Sequence, residues 1–164
     1  MNQSMSGPVR RVVTGHDADG RAVFRDDDRF GLVTVPRGDA AMTVLWTTDL
    51  PADNNDEVDG RDRETGLTLH GGSVIRVLDL FPGRESPMHR TSSIDYGIVL
   101  TGQVELELDD GVTTQVGPGD VVVQRGTMHL WRNRSDTETC RIAFILVEAT
   151  AALVDGVPLP EVQP

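Results

Sequence analysis

Apolar residues in this chain recur mainly at every second position, in short runs that Gly, Pro and Asp interrupt. Because side chains alternate between the two faces of an extended strand, this period predicts β-strands. In the run VELELDD, Val104, Leu106 and Leu108 fall on one face, which we expect to be buried while the acidic face is solvated. The sequence has neither a capped amphipathic run nor a phosphate-binding glycine motif, so we expect an all-β protein without a nucleotide-binding fold.

The strand-like runs and the segments between them divide a chain that has the length of one ordinary domain. Residues 9–50 contain paired runs around an Asp-rich turn, and we expect them to form an N-terminal β-hairpin or arm. Residues 51–71 are dense in Asp, Asn and Gly and are expected to be a polar surface loop. We expect the core strands at 72–148, between a flexible N-terminus at 1–8 and a C-terminal tail at 149–164.

Two later runs, VVV at 121–123 and IAFILV at 142–147, are apolar at consecutive positions rather than at alternate ones. A strand of this kind is covered on both faces, by a second sheet or by a partner subunit. The pattern therefore predicts an antiparallel sandwich or closed barrel, with a contact between the subunits of a homodimer.

Composition excludes several kinds of partner. The chain has 26 Asp and Glu residues against 15 Lys and Arg residues, for a formal net charge of -11. This charge repels phosphate backbones and anionic membrane surfaces, so we expect neither nucleic acid nor membrane as a partner. Cys140 is the only cysteine, and no apolar stretch has the length of a membrane span or the character of a signal peptide. We therefore expect a cytoplasmic protein.

A spaced set of glycine, histidine and acidic residues lies in the middle of the chain. It consists of Gly83, His89, Thr91, Asp95 and Gly102. The set resembles the first sequence motif of the cupin superfamily, which is usually G-x5-H-x-H-x3or4-E-x6-G. In this chain Thr91 stands in place of the second histidine, and Asp95 stands in place of the glutamate.

A second set follows and consists of Gly119, Gly126, His129 and Asn133. It resembles the second cupin motif, usually G-x5-P-x-G-x2-H-x3-N, although Gln124 replaces the proline and the first interval is one residue shorter. The resemblance covers residues 72–148. It implies a cupin-type antiparallel β-barrel, a jelly roll or double-stranded β-helix, with a pocket that opens at one end.

The resemblance implies that the motif histidines and the acid project into this pocket. Residues 89 and 91 share one face of a strand, and Asp95 is expected on the neighbouring strand after a short turn. His89, Asp95 and His129 are therefore candidate metal ligands and candidate catalytic residues. Two histidines and one carboxylate suit a divalent cation such as Fe, Mn, Ni or Zn and leave positions open for water or substrate.

Four further side chains are candidates for substrate binding: Trp131, Arg76, Arg90 and Tyr96. Trp131 shares a strand face with His129, so it forms either an aromatic wall of the pocket or a packing contact. Arg76 interrupts the strand VIRVL and either faces solvent or reaches inward to pair with a substrate carboxylate. Arg90 has the same two alternatives. Tyr96 points away from its neighbour Asp95 on an ideal strand, which favours a packing or hydrogen-bonding role.

Three functions stay open. The resemblance implies a metal-dependent enzyme that acts on a small organic metabolite, as a dioxygenase, decarboxylase, isomerase or dehydratase. A metal-free enzyme would instead use His129 or His89 as a general base that Asp95 tunes. The third alternative is a barrel that binds a small ligand without turnover.

Overall fold

The computed structural model describes residues 7–164, which form strands paired in antiparallel sheets and one short 3-10 turn at Asp109–Gly111. The all-β, antiparallel fold predicted from the alternating pattern is confirmed. Residues 1–6 of the expected flexible N-terminus lie outside the described residues. No helix between residues 7 and 164 is long and apolar enough to cross a membrane.

The strands follow one another along the chain with short turns in most places. In chain order they are β1 (Val9–His16), β2 (Ala22–Phe30), β3 (Val33–Thr34), β4 (Ala40–Asp49), β5 (Gly72–Leu80), β6 (Ser93–Thr101), β7 (Val104–Glu107), β8 (Thr113–Val116), β9 (Val121–Arg125), β10 (Leu130–Arg132), β11 (Cys140–Glu148), β12 (Leu153–Val154) and β13 (Val157–Pro158).

Two sheets enclose the core. The larger has six strands in the order β3-β4-β5-β11-β6-β9, and the smaller has the order β10-β7-β8. One buried cluster joins them, since Leu80, Val99 and Ile142 of the larger sheet pack with Val104 and Leu106 of the smaller. Burial of these apolar side chains between two sheets is the main stabilising contribution that the alternating pattern predicts.

Strand β7 departs from its pattern at one acidic position. Val104 and Leu106 are buried as expected, but Glu105 is also only 8% exposed. Its carboxylate Oε1 accepts a hydrogen bond of 2.7 Å from Arg132 and one of 2.8 Å from Arg134. The expectation of a solvated acidic face is therefore wrong at Glu105, because ion pairs with neighbouring arginines replace water around the carboxylate.

The predicted N-terminal hairpin is present as β1 paired with β2, and Arg11 anchors it to the main sheet. The Arg11 guanidinium lies 2.8 Å from Asp28 Oδ2 and 2.6 Å from Asp59 Oδ1. It also lies 4.9 Å above the centre of the Phe30 ring and 5.6 Å above that of Trp46. We call Arg11, Asp28 and Asp59 the Arg11 cluster, and it ties together the hairpin, β4 and the loop after β4.

That loop, residues 51–71, contains no strand and folds back onto β4. The Thr47 hydroxyl donates a hydrogen bond of 2.5 Å to the carbonyl of Gly60. Gly60 is required here, because a Cβ at this position would lie 2.5 Å from the Thr47 carbonyl oxygen and from the Trp46 ring. Further along the loop, the carbonyls of Gly66 and Leu67 accept hydrogen bonds from Arg76 on β5.

The C-terminal segment also returns to the fold. After β11 the chain forms the β12–β13 hairpin, and Val162 then exchanges two backbone hydrogen bonds of 3.0 Å with Arg90. This pairing places the C-terminal segment next to His89, and Pro164 lines the cavity described below.

Candidate functional site

A cavity of about 230 Å³ lies between the two sheets. Its walls include His89, Asp95, His129, Trp131 and Arg76, so the structure brings together the three predicted catalytic side chains and two of the predicted substrate-binding ones. The other two lie elsewhere. Tyr96 is exposed on the outer face of β6, and the Arg90 guanidinium lies 3.4 Å from the carbonyl of Pro160 in the C-terminal segment.

The two histidines form a fixed pair. His89 and His129 face each other as an isolated antiparallel bridge with backbone hydrogen bonds of 2.9 and 3.0 Å, and their ring centres are 4.2 Å apart. His89 Nδ1 lies 2.8 Å from the carbonyl oxygen of Pro87, and His129 Nδ1 lies 3.0 Å from that of Thr127. Because a carbonyl oxygen only accepts, each Nδ1 carries a hydrogen, and in the neutral form of each ring the lone pair is therefore on Nε2.

Gln124 connects His129 to Asp95. The pairing of β6 with β9 places Gln124 directly opposite Asp95, and both side chains are buried. The amide nitrogen of Gln124 lies 2.9 Å from Asp95 Oδ2 and 3.0 Å from His129 Nε2. Both neighbours are acceptors, so the side-chain NH₂ group faces them and donates to each.

Hydroxyl groups hold the other side of Asp95. The Ser93 hydroxyl donates a hydrogen bond of 2.6 Å to Asp95 Oδ1 and lies 2.8 Å from Thr91 Oγ1. Since Ser93 has a single hydroxyl hydrogen, the Thr91 hydroxyl donates to Ser93. Thr91, which stands where the family motif has a histidine, thus belongs to a chain of hydrogen bonds that ends on the carboxylate.

Burial shifts the proton affinities of this network. Desolvation raises the pKa of Asp95 above its ordinary value, and this outweighs the hydrogen bonds from Ser93 and Gln124 that favour the carboxylate. Desolvation, helped by the repulsion that a protonated His89 ring would exert, lowers the pKa of His129 to about 4. His129 is therefore a neutral imidazole at neutral pH, in agreement with the hydrogen bond that its Nε2 accepts from Gln124.

The arrangement does not fit a metal ion. The Gln124 amide hydrogens point at Asp95 Oδ2 and His129 Nε2, two of the atoms that would have to bind the cation. In the part of the chain that the structure describes, no group of three or more His, Cys, Asp or Glu side chains is placed to hold a metal. A donor group between the ligands repels a cation, so these side chains would have to rearrange before a metal entered. The metal site stays a prediction.

The two motifs did not predict a role in the site for Gln124, Ser93 or Phe144. The sequence does contain a signal for Gln124, because it is the polar residue that ends the apolar run VVVQ and it replaces the proline of the second motif. The role of Gln124 also depends on the strand register that sets it opposite Asp95.

Aromatic side chains form the wall next to the histidines. The Trp131 ring meets the Phe144 ring edge-on at a centre distance of 5.4 Å and lies 6.5 Å from the His129 ring. Gly97 makes room for the two larger rings, since a Cβ there would lie 3.0 Å from Phe144 and 3.5 Å from Trp131. This part of the cavity wall is therefore aromatic and apolar.

Arg76 is the buried cation of the cavity. It is 5% exposed, and its Nη2 donates hydrogen bonds of 3.0 and 2.5 Å to the carbonyls of Gly66 and Leu67. Burial lowers the pKa of Arg76, while the charge of Asp95 acts in the opposite direction. The loop after β4 therefore positions this guanidinium through neutral carbonyl groups.

Comparison with known proteins identifies a family that this chain resembles. The family profile described as Cupin domain matches residues 76–147. A protein of Diaporthe leptostromiformis, Phomopsin biosynthesis cluster protein C', is 42% identical over 154 residues, which cover 89% of this chain and 82% of the relative. The cupin-domain-containing oxidoreductase fogC of Aspergillus ruber is 37% identical over 155 residues, which cover 90% of this chain and 76% of the relative.

Solved structures agree on the fold. The cupin domain of Schizosaccharomyces pombe Cnp3 superposes with a TM-score of 0.54 over 85% of this chain and 87% of that chain, at 12% identity. A Cupin 2 conserved barrel domain protein from Salinispora arenicola gives a TM-score of 0.50 over 73% of this chain and 82% of that chain, at 20% identity. At these identities the similarity concerns the fold alone.

Proposed function

Because this chain belongs to the cupin superfamily, as its two motifs predicted, we propose that it is an enzyme that acts on a small organic metabolite bound in the cavity. The reaction that the side chains support best is proton transfer without a metal, as in an isomerisation or an elimination. His89 is the general base.

The observation that carries this proposal is the tautomer of His89, together with the position of its ring in the cavity wall. Its Nδ1–H is held by the Pro87 carbonyl, so the lone pair lies on Nε2, and the ring lines the cavity. Among residues 7–164, the carbonyl of Pro87 is the one hydrogen-bond partner of this side chain. His129 differs, because the Gln124 amide occupies its Nε2. The base that is free to take a proton is therefore His89.

The proton balance is simple. His89 Nε2 removes a proton from a carbon of the substrate and becomes an imidazolium, which the Pro87 carbonyl stabilises through Nδ1–H. The same proton then returns to another atom of the substrate in an isomerisation, or to the leaving group in an elimination. Neutral His129, held by Gln124, keeps the second ring from adding a positive charge beside the first.

The names of the relatives favour a second candidate, a cupin oxidoreductase that uses a bound metal. A redox reaction needs an electron acceptor, and Gln124 would have to turn away from Asp95 and His129 to admit a cation. Metal analysis of protein purified without an affinity tag separates the two candidates. A stoichiometric Fe, Mn, Ni or Zn content, or activity gained on reconstitution, would support the oxidoreductase and contradict the metal-free mechanism.

The proposed mechanism is tested by hydrogen exchange. Organic acids and ketones with acidic C–H bonds are incubated with the protein in D₂O, and NMR measures deuterium uptake and product formation. For any substrate found, His89→Gln should lower the rate by about 100-fold or more, and chelators should leave the rate unchanged. The matched control is His70→Gln, because His70 is fully exposed and pairs with Glu148 away from the cavity. Full activity in His89→Gln would refute the role of His89.

We also propose that the chain forms a homodimer through the outer face of the larger sheet. Tyr96, Val121 and Val123 lie side by side there on β6 and β9 and are exposed, although they are apolar or aromatic. Phe24 on the N-terminal hairpin is also exposed. Light scattering is expected to give the mass of two chains, and Val123→Lys is expected to give the mass of one. A monomeric wild-type protein would contradict this proposal.

A further inference from the structure

One charged side chain in the cavity has no charge to match it. Arg76 lies on the inner face of β5, and its side chain is removed from solvent almost completely. Bringing a cation into such a place without an opposite charge is costly, and buried arginines in proteins are normally paired with carboxylates or phosphates.

The donors of Arg76 can be accounted for one by one. A guanidinium carries five N–H groups. Nη2 donates to the two loop carbonyls, and Nη1 lies 4.0 Å from Met42 Sδ, which is a weak acceptor. Nε is buried and meets no acceptor within the described residues. Every acceptor that Arg76 reaches from residue 7 onward is neutral, and at least one N–H faces none.

The acid in the same cavity does not fill this role. Asp95 is held by Ser93 on one oxygen and by Gln124 on the other, and its influence on Arg76 is through space only.

We propose that Arg76 binds the carboxylate of an aromatic or otherwise apolar acid whose body packs against Trp131 and Phe144. The inference rests on the proposed function in one respect, that this acid is the substrate. A carboxylate suits the site better than a phosphate, because one guanidinium with few unused donors does not satisfy three phosphate oxygens in an otherwise apolar cavity.

A matched pair of probes tests the inference without knowledge of the natural substrate. Benzoate and benzamide have nearly the same size and shape and differ in charge. Calorimetric titration should show that the wild-type protein binds benzoate about 10- to 100-fold more tightly than benzamide, as for a hydrogen bond to a charged group. Equal affinity for the two probes, or no binding of benzoate up to its solubility limit, would overturn the proposal.

Variants locate the charge that produces the preference. Arg76→Met should remove the preference, and Arg76→Lys should retain part of it, because lysine keeps the charge but not the planar fork. Arg37 provides the matched control, since it also lines the cavity but is largely exposed and paired with Asp39. If Arg37→Met removes the preference and Arg76→Met keeps it, the assignment to Arg76 is wrong. Should Arg76→Met fail to fold, Arg76→Lys and the two wild-type titrations still decide.

His89→Gln separates this inference from the proposed mechanism. The variant should bind benzoate as the wild type does, because the anchor is Arg76. If the protein turns over a neutral substrate but binds benzoate no more tightly than benzamide, the proposed mechanism is retained and the proposed carboxylate site at Arg76 is refuted. If benzoate binding depends on Arg76 but His89→Gln keeps full activity, the carboxylate site is supported and the role of His89 as general base is refuted.

Discussion

The Arg11 cluster on the N-terminal hairpin and the cavity around Arg76 on the larger sheet each bury an arginine, but they satisfy its charge in different ways. Arg11 meets two carboxylates, one from β2 and one from the loop after β4. Arg141, on the outer face of β11, likewise holds both oxygens of Asp79 at 2.6 and 2.7 Å. Arg76 meets two carbonyls. The buried arginines Arg11 and Arg141 therefore pair with carboxylates of the protein itself, whereas Arg76, in the cavity, does not.

The largest effect on stability is expected at the most deeply buried pair. Asp79→Ala removes the partner of Arg141 and leaves that cation buried without a counter-ion. We expect the free energy of unfolding to fall by about 3–5 kcal/mol, as for other broken buried pairs. Denaturant unfolding measures the change. A loss no greater than that of an exposed pair would show that Arg141 is not supported in this way.

A smaller loss is expected at the Arg11 cluster, because its two acids are partly exposed. Arg11→Met should lower the free energy of unfolding by about 1–3 kcal/mol through loss of charged hydrogen bonds. Arg10 on the same strand is the control, since it forms an exposed pair with Asp27. Arg10→Met should leave the unfolding curve unchanged. If the two substitutions lower the free energy of unfolding equally, the Arg11 cluster contributes no more to stability than an exposed ion pair.

The pH dependence of stability should identify the same cluster. Hydrogen bonds from Arg11 lower the pKa of Asp59 from 3.8 to about 2 in the folded protein. The unfolded chain therefore takes up a proton first, and the stabilisation present above pH 3.8 is lost as the pH falls towards 2. Because Asp59 is about a third exposed, we expect a loss of only about 1 kcal/mol. Unfolding of the wild type and of Arg11→Met between pH 5 and 2 measures this, and equal slopes would contradict it.

The smallest change is expected at the buried arginine of the cavity. Arg76→Met loses two hydrogen bonds to carbonyls but also removes a buried charge without a counter-ion. The two effects oppose each other, so we expect the free energy of unfolding to stay within about 1 kcal/mol of the wild type. A loss as large as that of Asp79→Ala would mean that Arg76 supports the fold, and the contrast between the two regions would disappear.

Much of the fold followed from local patterns in the sequence. The alternation in β7, the Asp-rich hairpin turn and the two spaced motifs each report on neighbouring residues, and these predictions agree with the strands and with the cupin family. The cavity positions of His89, Asp95 and His129 followed from the same motifs.

Other features depend on contacts between distant residues, which local patterns do not contain. Glu105 is buried because Arg132 and Arg134 come from a later part of the chain. The role of Gln124 depends on its register against Asp95, and the environment of Arg76 depends on how the loop folds back onto β5. The two alternatives predicted for Arg76, that it faces solvent or that it reaches into the barrel, differ in these contacts.

The backbone pairing of Val162 with Arg90 links the end of the chain to the occupancy of the cavity. Residue 90 is adjacent to His89, and Pro164 lies in the cavity wall, so a molecule in the cavity would contact the same C-terminal segment that this pairing holds. A bound molecule that rests against Pro164 would then slow solvent exchange of the Val162 amide hydrogen. The exchange rate of that one amide hydrogen would therefore report whether the cavity is occupied.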